Sequence, residues 1–312
     1  MERVCVIIPY FGRWPAYLDL FLHGCRRNKA LDFLFFTDLE PPVDVPDNVK
    51  FHFYTLDNIN RSMTRLLGFE SMITKPYKLC DVRPAYGLLF QEYIHDFDFW
   101  GWGDVDVVYG NLTSRLSAEV LSNDVISFRK KWLSGSLTLI RNSDFMNRLF
   151  LKSPDLRMIF GSTEYLGFDE VSKYWVGVRT RPISEISFPY DNFTRLVLDA
   201  STRGAVKAYL NDHAKESILV NDYVRLKDGK IVDVQGREYA YYHFITEKGK
   251  PYFVYPDWDN VPDQYVIDRT GFYTSSQFER RGIIGMWRRM RAVPQLGKRF
   301  LVRSYRKILQ MR

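Results

Sequence analysis

Apolar positions along the chain fall into runs that alternate between two periods. Residues 3–11, RVCVIIPYF, form an apolar run rich in β-branched side chains. That composition marks a strand covered on both faces, and Pro9 to Gly12 end it. From Pro15 onward, Tyr17, Leu18, Phe21, Leu22 and Cys25 recur at helical spacing, and LDFLFFTD then reads as a second buried strand ending at Asp38. VKFHFYTL (49–56) alternates as a third strand. A helix is predicted over 84–95, carrying Leu88, Leu89, Phe90 and Tyr93, and FDFWGWGD follows as strand four. Strands alternating with helices in this way predict an α/β sheet with its ligand at the C-terminal ends of the strands.

Farther along, DVISF and GSLTLIRN read as two more strands and SDFMNRLFLKS as a helix capped by Ser143. Beyond residue 180 the pattern loosens. ILVNDYVRLKDGKIVDVQG predicts a hairpin turning at Asp228-Gly229, and EYAYYHFI a late strand. Pro, Asp and Gly accumulate over 256–278, which is the expectation for a linker, and 279–312 reads as a basic amphipathic tail.

Composition confirms a folded chain: of 312 residues, 46% are hydrophobic and 16% aromatic, too many large apolar side chains for disorder. No internal repeat is visible. No window approaches the roughly 18 uninterrupted apolar residues of a spanning helix, and VCVIIPYF is too short and proline-broken for a signal peptide, so a cytoplasmic location is expected. Cys5, Cys25 and Cys80 are odd in number and widely spaced, suggesting buried apolar side chains and neither a disulfide framework nor a zinc site. In that setting the sequons at Asn111 and Asn192 carry no meaning. The net charge of +7 is uneven: 279–312 holds eleven Lys or Arg and one acid, leaving a body at −3.

Three Asp-x-Asp triplets occur, at Asp96/Asp98, Asp104/Asp106 and Asp257/Asp259. Only the second stands where an apolar strand ends, behind Gly101 and Gly103. Two carboxylates there repel each other and are costly to desolvate without a cation. A divalent ion removes that cost, and hard oxygen ligands suit Mg²⁺ or Mn²⁺, which would neutralise a diphosphate; a solvated loop pair is the bland alternative. YYHFITEKGKPYF (241–253) supplies the second constellation. His243 ends an apolar stretch, and Lys248 and Lys250 follow in a Gly-containing turn. An imidazole would complete a Mn²⁺-type site and a lysine can reach a phosphate as a point charge, although a lone histidine serves equally often in a core or a cap. GFDEVSKYW offers Asp169 and Glu170 as general bases for an acceptor hydroxyl. Asp169 is favoured because apolar Phe168 would raise its proton affinity; acids at a helix start are also routine dipole partners.

Taken together, the N-terminal strands, GDVDVVYG and HFITEKGKPY resemble the GT-A fold nucleotide-sugar glycosyltransferases. The His and Lys segment is similar to that of the glycogenin-type and lipopolysaccharide galactosyltransferases, and KPYKLCDVRPAYGLLF with FWGWGDVDVVYGNL resembles proteins of bacterial polysaccharide (capsule and O-antigen) loci, among them galactofuranosyltransferases. The resemblance implies a Rossmann-like mixed sheet flanked by helices over 1–255, with a nucleotide-binding half (1–106) and an acceptor-side half (107–255). It implies Asp104, Asp106 and His243 as ligands of Mn²⁺ or Mg²⁺, with Asp104 also at the nucleotide sugar. Lys250, before Pro251, would be the phosphate lysine and Lys248 the fallback. Pro9, Tyr10 and Phe11 would face the base and Asp38 the uracil or ribose. Lys78, Asp81 and Arg83 would contact the nucleotide, or else form a surface ion-pair cluster. Tyr252 stands where the glycogenin type has Trp. The implied reaction moves a sugar from a UDP-sugar, UDP-galactofuranose among the candidates, to a bacterial surface polysaccharide or lipid-linked glycan.

In the tail, Leu296, Phe300, Leu301, Tyr305, Ile308 and Leu309 recur at helical spacing among Lys298, Arg299, Arg303, Arg306 and Lys307. Such a stretch suits an anionic membrane surface, and would make the protein peripheral to the inner face of the plasma membrane; a partner-bound helix or an RNA-binding arm would share these features. Two rival functions remain. A nucleic-acid-binding protein would spread its basic residues over the body, which instead sums to −3, so no nucleic-acid partner is expected. A metal-dependent phosphoesterase would want more His and Asp ligands for two metals.

Overall fold

A computed structural model describes residues 2–172 and 175–292. The chain divides into two compact units, the first from residues 1–15, 22–105 and 111–214, the second from 16–21, 106–110 and 215–312.

In chain order the first strands are β1 (Val4–Pro9), β2 (Leu31–Thr37), β3 (Val49–Phe53), β4 (Phe99–Gly103), β5 (Val107–Tyr109), β6 (Val125–Ser127), β7 (Leu137–Arg141) and β8 (Ala208–Leu210). All but β5 form the sheet of the first unit, ordered β3-β2-β1-β4-β7-β6-β8. β1, β2, β3 and β4 run parallel, while β7 is antiparallel to both β4 and β6. The fold class is therefore α/β with a mixed sheet flanked by helices, as the sequence pattern implies. β1 and β4 read as continuous apolar runs because nearly every residue of each is buried, whichever face it points to. Because β1, β2 and β4 are parallel, their C-terminal ends carry Pro9, Asp38 and Asp104 to one edge of the sheet. At Gly101 a Cβ would strike the carbonyl of Thr138 on neighbouring β7, so close strand pairing requires glycine there.

One large apolar cluster holds this unit, centred on residues such as Phe36, Phe90, Trp100 and Trp102. Phe36 stacks on Phe90 at 4.0 Å between ring centroids, and each such ring contributes about 1.5–3 kcal/mol by leaving water. The indole nitrogens are not stranded: Trp100 donates to Asn147 (2.6 Å) and Trp102 to the Ser134 carbonyl (2.9 Å).

Two helical expectations change. The helix expected over 84–95 is a series of short turns, from Pro76–Lys78 through Leu79–Val82, Arg83–Ala85 and Tyr86–Leu89 to Gln91–Ile94. Within 84–95 the break falls at Phe90, whose φ of −113° and ψ of 23° leave the helical region. A helix at Leu56–Leu67 arises where none was expected, started by a capping box between Thr55 and Asn58 and stopped by Gly68 at φ 72°.

The second unit holds β5 together with β9 (Ala214–Lys215, from its second residue), β10 (Val224–Lys227), β11 (Lys230–Asp233), β12 (Glu238–Tyr239), β13 (Tyr241–His243), β14 (Tyr265–Asp268) and β15 (Gly271–Tyr273). β10 and β11 form the expected hairpin, with Asp228 and Gly229 both at positive φ (52° and 75°). The segment 256–278 is not a linker: β14 and β15 complete an antiparallel sheet ordered β12-β11-β10-β14-β15. Its Pro, Asp and Gly residues punctuate two short buried strands, YVID and GFY. Residues 281–292 are helical, and the tail positions from Leu296 to Leu309 lie outside the described residues.

Candidate functional site

In the second unit β5 pairs antiparallel with β13, setting His243 opposite Val107, and the Phe244 amide donates to the Asp106 carbonyl at 3.1 Å. That register carries the Asp106 carboxylate to the His243 imidazole, Oδ2 to Nε2, at 3.2 Å. The chain then turns through the short helix Ile245–Lys248, which returns the Lys248 ammonium to within 2.6 Å of the same oxygen. Asp106 and His243 are buried, 4% and 5% exposed, whereas the Lys248 side chain keeps 36% of its surface in solvent. Glu216 Oε1 lies 3.8 Å from the other imidazole nitrogen. Burial works to raise the proton affinity of Asp106, but the His243 hydrogen bond and charge, with Lys248 behind them, hold the carboxyl well below the usual range. Tyr255 is pushed up to about 12, first by burial and then by the Asp106 charge.

The two candidate lysines change places. Lys248, the fallback, is the one beside Asp106; Lys250 pairs with Glu247 at 3.2 Å, a fully buried carboxylate that also accepts from Tyr242 (2.8 Å). Lys250 supports the fold of the turn.

In the first unit Asp104 follows β4, its amide donating to the Ser136 carbonyl at 3.2 Å. Arg83 pairs with Asp104 through one guanidinium nitrogen and with Asp169 through the other, the latter at 2.7 Å. Asp169 also accepts from the Tyr165 hydroxyl at 3.1 Å. Burial pushes the Asp169 carboxyl up to about 8, and Arg83 only partly offsets it. Glu170 accepts from the Gly135 amide at 2.6 Å. Glycine at 135 leaves room for this arrangement, since a Cβ there would lie 2.8 Å from Arg83 Nη1 and 2.9 Å from Glu170 Oε1.

These placements correct three expectations. Asp169 and Glu170 lie in a turn, not at a helix start. Asp169, with no exposed surface and both oxygens engaged, cannot meet an acceptor hydroxyl and instead positions Arg83. Lys78 and Asp81 form neither a surface cluster nor a nucleotide contact. Both side chains are fully buried, and the ammonium donates to Asp81 and to the carbonyls of Ile159 and Glu164, at 2.7–2.8 Å. Asp81 in turn accepts from the Leu166 and Phe168 amides. Arg83 is aimed at two carboxylates, Asp104 and Asp169. At the ends of β1 and β2, Pro9, Tyr10 and Phe11 are half-buried and Asp38 is exposed. Tyr10 stacks on Trp14 at 5.2 Å, and Trp14 donates to the Glu40 carbonyl, which fixes this loop against the strand ends.

Only Val105 separates Asp104 from Asp106, so chain length alone keeps their Cα atoms within about 7 Å of each other. Within the second unit Asp106 and His243 offer a carboxylate and an imidazole, donors that suit Mn²⁺ or Mg²⁺, and Asp104 stands two residues earlier in the chain. Sequence reading missed Glu216 and the Arg83–Asp169 pair, neither of which carries a local signal.

The first unit is thus an α/β fold with a mixed sheet, and the second holds a carboxylate, imidazole and ammonium cluster. Residues 6–276 match the Family of unknown function (DUF6625), and the chain belongs to that family. No curated protein sequence matches it. Among solved structures it is similar to the galactosyltransferase LgtC in complex with donor and acceptor sugar analogs, at 11% identity and a TM-score of 0.32 over 51% of this chain and 66% of that one, just under two thirds of its length. It is also similar to a glycosyltransferase involved in the glycosylation of the major capsid of PBCV-1, at 10% identity and a TM-score of 0.37 over 78% of this chain and 92% of that one. Superpositions that loose define neither fold nor activity.

Proposed function

We propose that this chain is a metal-dependent glycosyltransferase that moves a sugar from a nucleotide sugar, a UDP-sugar such as UDP-galactofuranose, to a bacterial surface polysaccharide or lipid-linked glycan. The observation that carries the reading is the buried Asp106 carboxylate flanked by His243 at 3.2 Å and Lys248 at 2.6 Å, with Asp104 two residues earlier in the chain. Asp104, Asp106 and His243 would hold Mn²⁺ or Mg²⁺. Bound there, the ion would neutralise charge on the departing diphosphate. Lys248 pairs with Asp106 and is the residue best placed to offer its ammonium to a phosphate. The loop Pro9-Tyr10-Phe11 and Asp38, at parallel strand ends where α/β sheets take their ligands, would bind the base and ribose. Arg83, held by Asp169, would keep Asp104 in place. The 279–312 tail would dock the protein on the inner face of the plasma membrane; among the described residues no helix is long and apolar enough to cross one.

Thermal shift decides the matter. UDP with Mn²⁺ should raise the melting temperature beyond either alone, because ligands that bind only the folded state stabilise it, and Asp106→Ala or His243→Ala should abolish the increment. UDP binding that persists undiminished in chelator would remove the metal from the reading.

A further inference from the structure

We propose that a second cavity, in the first unit, binds an acidic carbohydrate chain. The cavity, about 730 Å³, opens among the β6–β7 connection, residues 180–186 and the helix Phe193–Thr202, and none of the residues assigned above lines it. Four cations face it, Lys130, Lys131, Arg181 and Arg195, against one acid, Asp199. Asp199 is already within 4.0 Å of Arg195 on the same helix. Neither Lys130 nor Arg181 has a carboxylate partner among the described residues. A surplus of positive charge remains in a body whose overall balance is negative.

The floor differs from the rim. Ile183, Ile186 and Leu198 belong to a small apolar cluster of their own, which gives the cavity a packed base. Ser184, Ser201 and Thr202 add hydroxyls to its wall. Apolar patches for sugar C–H faces, hydroxyls for sugar hydroxyls and cations for carboxylates together describe an anionic glycan. Single-stranded nucleic acid is a poorer fit, because it needs aromatic platforms for its bases and among the described residues no aromatic side chain lines this cavity. Lys130 and Lys131 also stand in the same connection as Gly135, whose neighbours are Arg83 and Glu170. Four residues of chain from Lys131 to Gly135 span at most about 14 Å, so a glycan held here would run toward the Asp104 end of the unit. In naming an acidic acceptor this inference rests on the transferase reading; the binding itself does not.

The test uses the full chain without nucleotide or metal, so it can fail independently of that reading. An oligogalacturonate and the same oligomer with its carboxyl groups reduced to alcohols are titrated calorimetrically into wild type and a Lys130→Ser/Arg181→Ser variant. The expected result is binding of the acidic oligomer only, weakened about tenfold in the variant, equivalent to about 1.4 kcal/mol. Raising salt from about 0.1 M to about 1 M shortens the screening length from about 10 Å to about 3 Å and should weaken it further. Both substitutions are on exposed side chains, so an unchanged melting temperature shows that the variant is folded. Equal binding of the reduced oligomer, unaltered affinity in the variant, or binding of a short single-stranded RNA in place of the acidic glycan would each overturn the assignment.

Discussion

Replacing Lys248 with Ala should change two affinities in opposite directions. The ammonium lies 2.6 Å from Asp106 Oδ2 with 36% of the side chain exposed. A sheltered charged hydrogen bond is worth about 1.5–3 kcal/mol and a solvent-screened ion pair about 0.2–1, so this half-sheltered contact is worth about 1–1.5 kcal/mol. A divalent ion taking Asp106 as a ligand has to displace that ammonium. Removing it in Lys248→Ala should therefore tighten Mn²⁺ binding by about five- to tenfold. On the transferase reading the same ammonium would face a diphosphate beside a seated ion, and its loss should weaken UDP binding to the Mn²⁺-loaded protein by about tenfold or more. Calorimetric titration reads both, first with Mn²⁺ alone and then with UDP at saturating Mn²⁺. A lysine that merely braces the turn would leave both constants where they were, and one that only repels cations would tighten Mn²⁺ without touching UDP. Either outcome refutes the reasoning.

Two further substitutions test the buried charges of the first unit. Lys78→Met strands the Asp81 carboxylate in the core and should cost about 3–5 kcal/mol, seen as a large fall in melting temperature; a variant that melts normally but loses UDP binding would restore Lys78 to the nucleotide. Asp169 has its folded-state pKa raised to about 8, so the stability it contributes by staying neutral is full below about pH 4 and is lost as pH rises through about 8. Wild type should accordingly unfold at lower urea at pH 8 than at pH 5, and Asp169→Asn should lose most of that difference; equal wild-type midpoints would contradict a buried, raised carboxyl.

Much of the sheet is readable from residue pattern alone. β1, β2, β4 and β7 are apolar runs that only a strand buried on both faces explains, and the Asp228-Gly229 turn needs positive φ at two successive residues, which few sequences supply. The elements that escape are those whose signal is not local. β14 and β15 hide within turn-forming residues because each is short and gains its burial from partners in the same sheet. β8 is three half-buried residues that, among the described residues, pair only with β6. At the site, Asp106 and His243 declare themselves by chemistry in context. The ranking of Lys248 and Lys250 does not, because it depends on how one helical turn aims its side chains. Asp169 looks like a base beside a phenylalanine, and only the arrival of Arg83 from 86 residues away shows it to be an anchor.

The pairing of β5 with β13 also sets a schedule for biosynthesis. Asp106 leaves the ribosome 137 residues ahead of His243, and at roughly 5–20 residues per second the carboxylate waits roughly 7–27 s for its imidazole. During that interval β1, β2, β3 and β4 are all available to pair with one another, while β5 has no partner strand to receive its amides and carbonyls. The nascent chain therefore carries an unfinished strand through the middle of its synthesis. A stop codon between β4 and β13 would leave a product that holds the parallel strands of the first unit and has no means of assembling the Asp106 cluster.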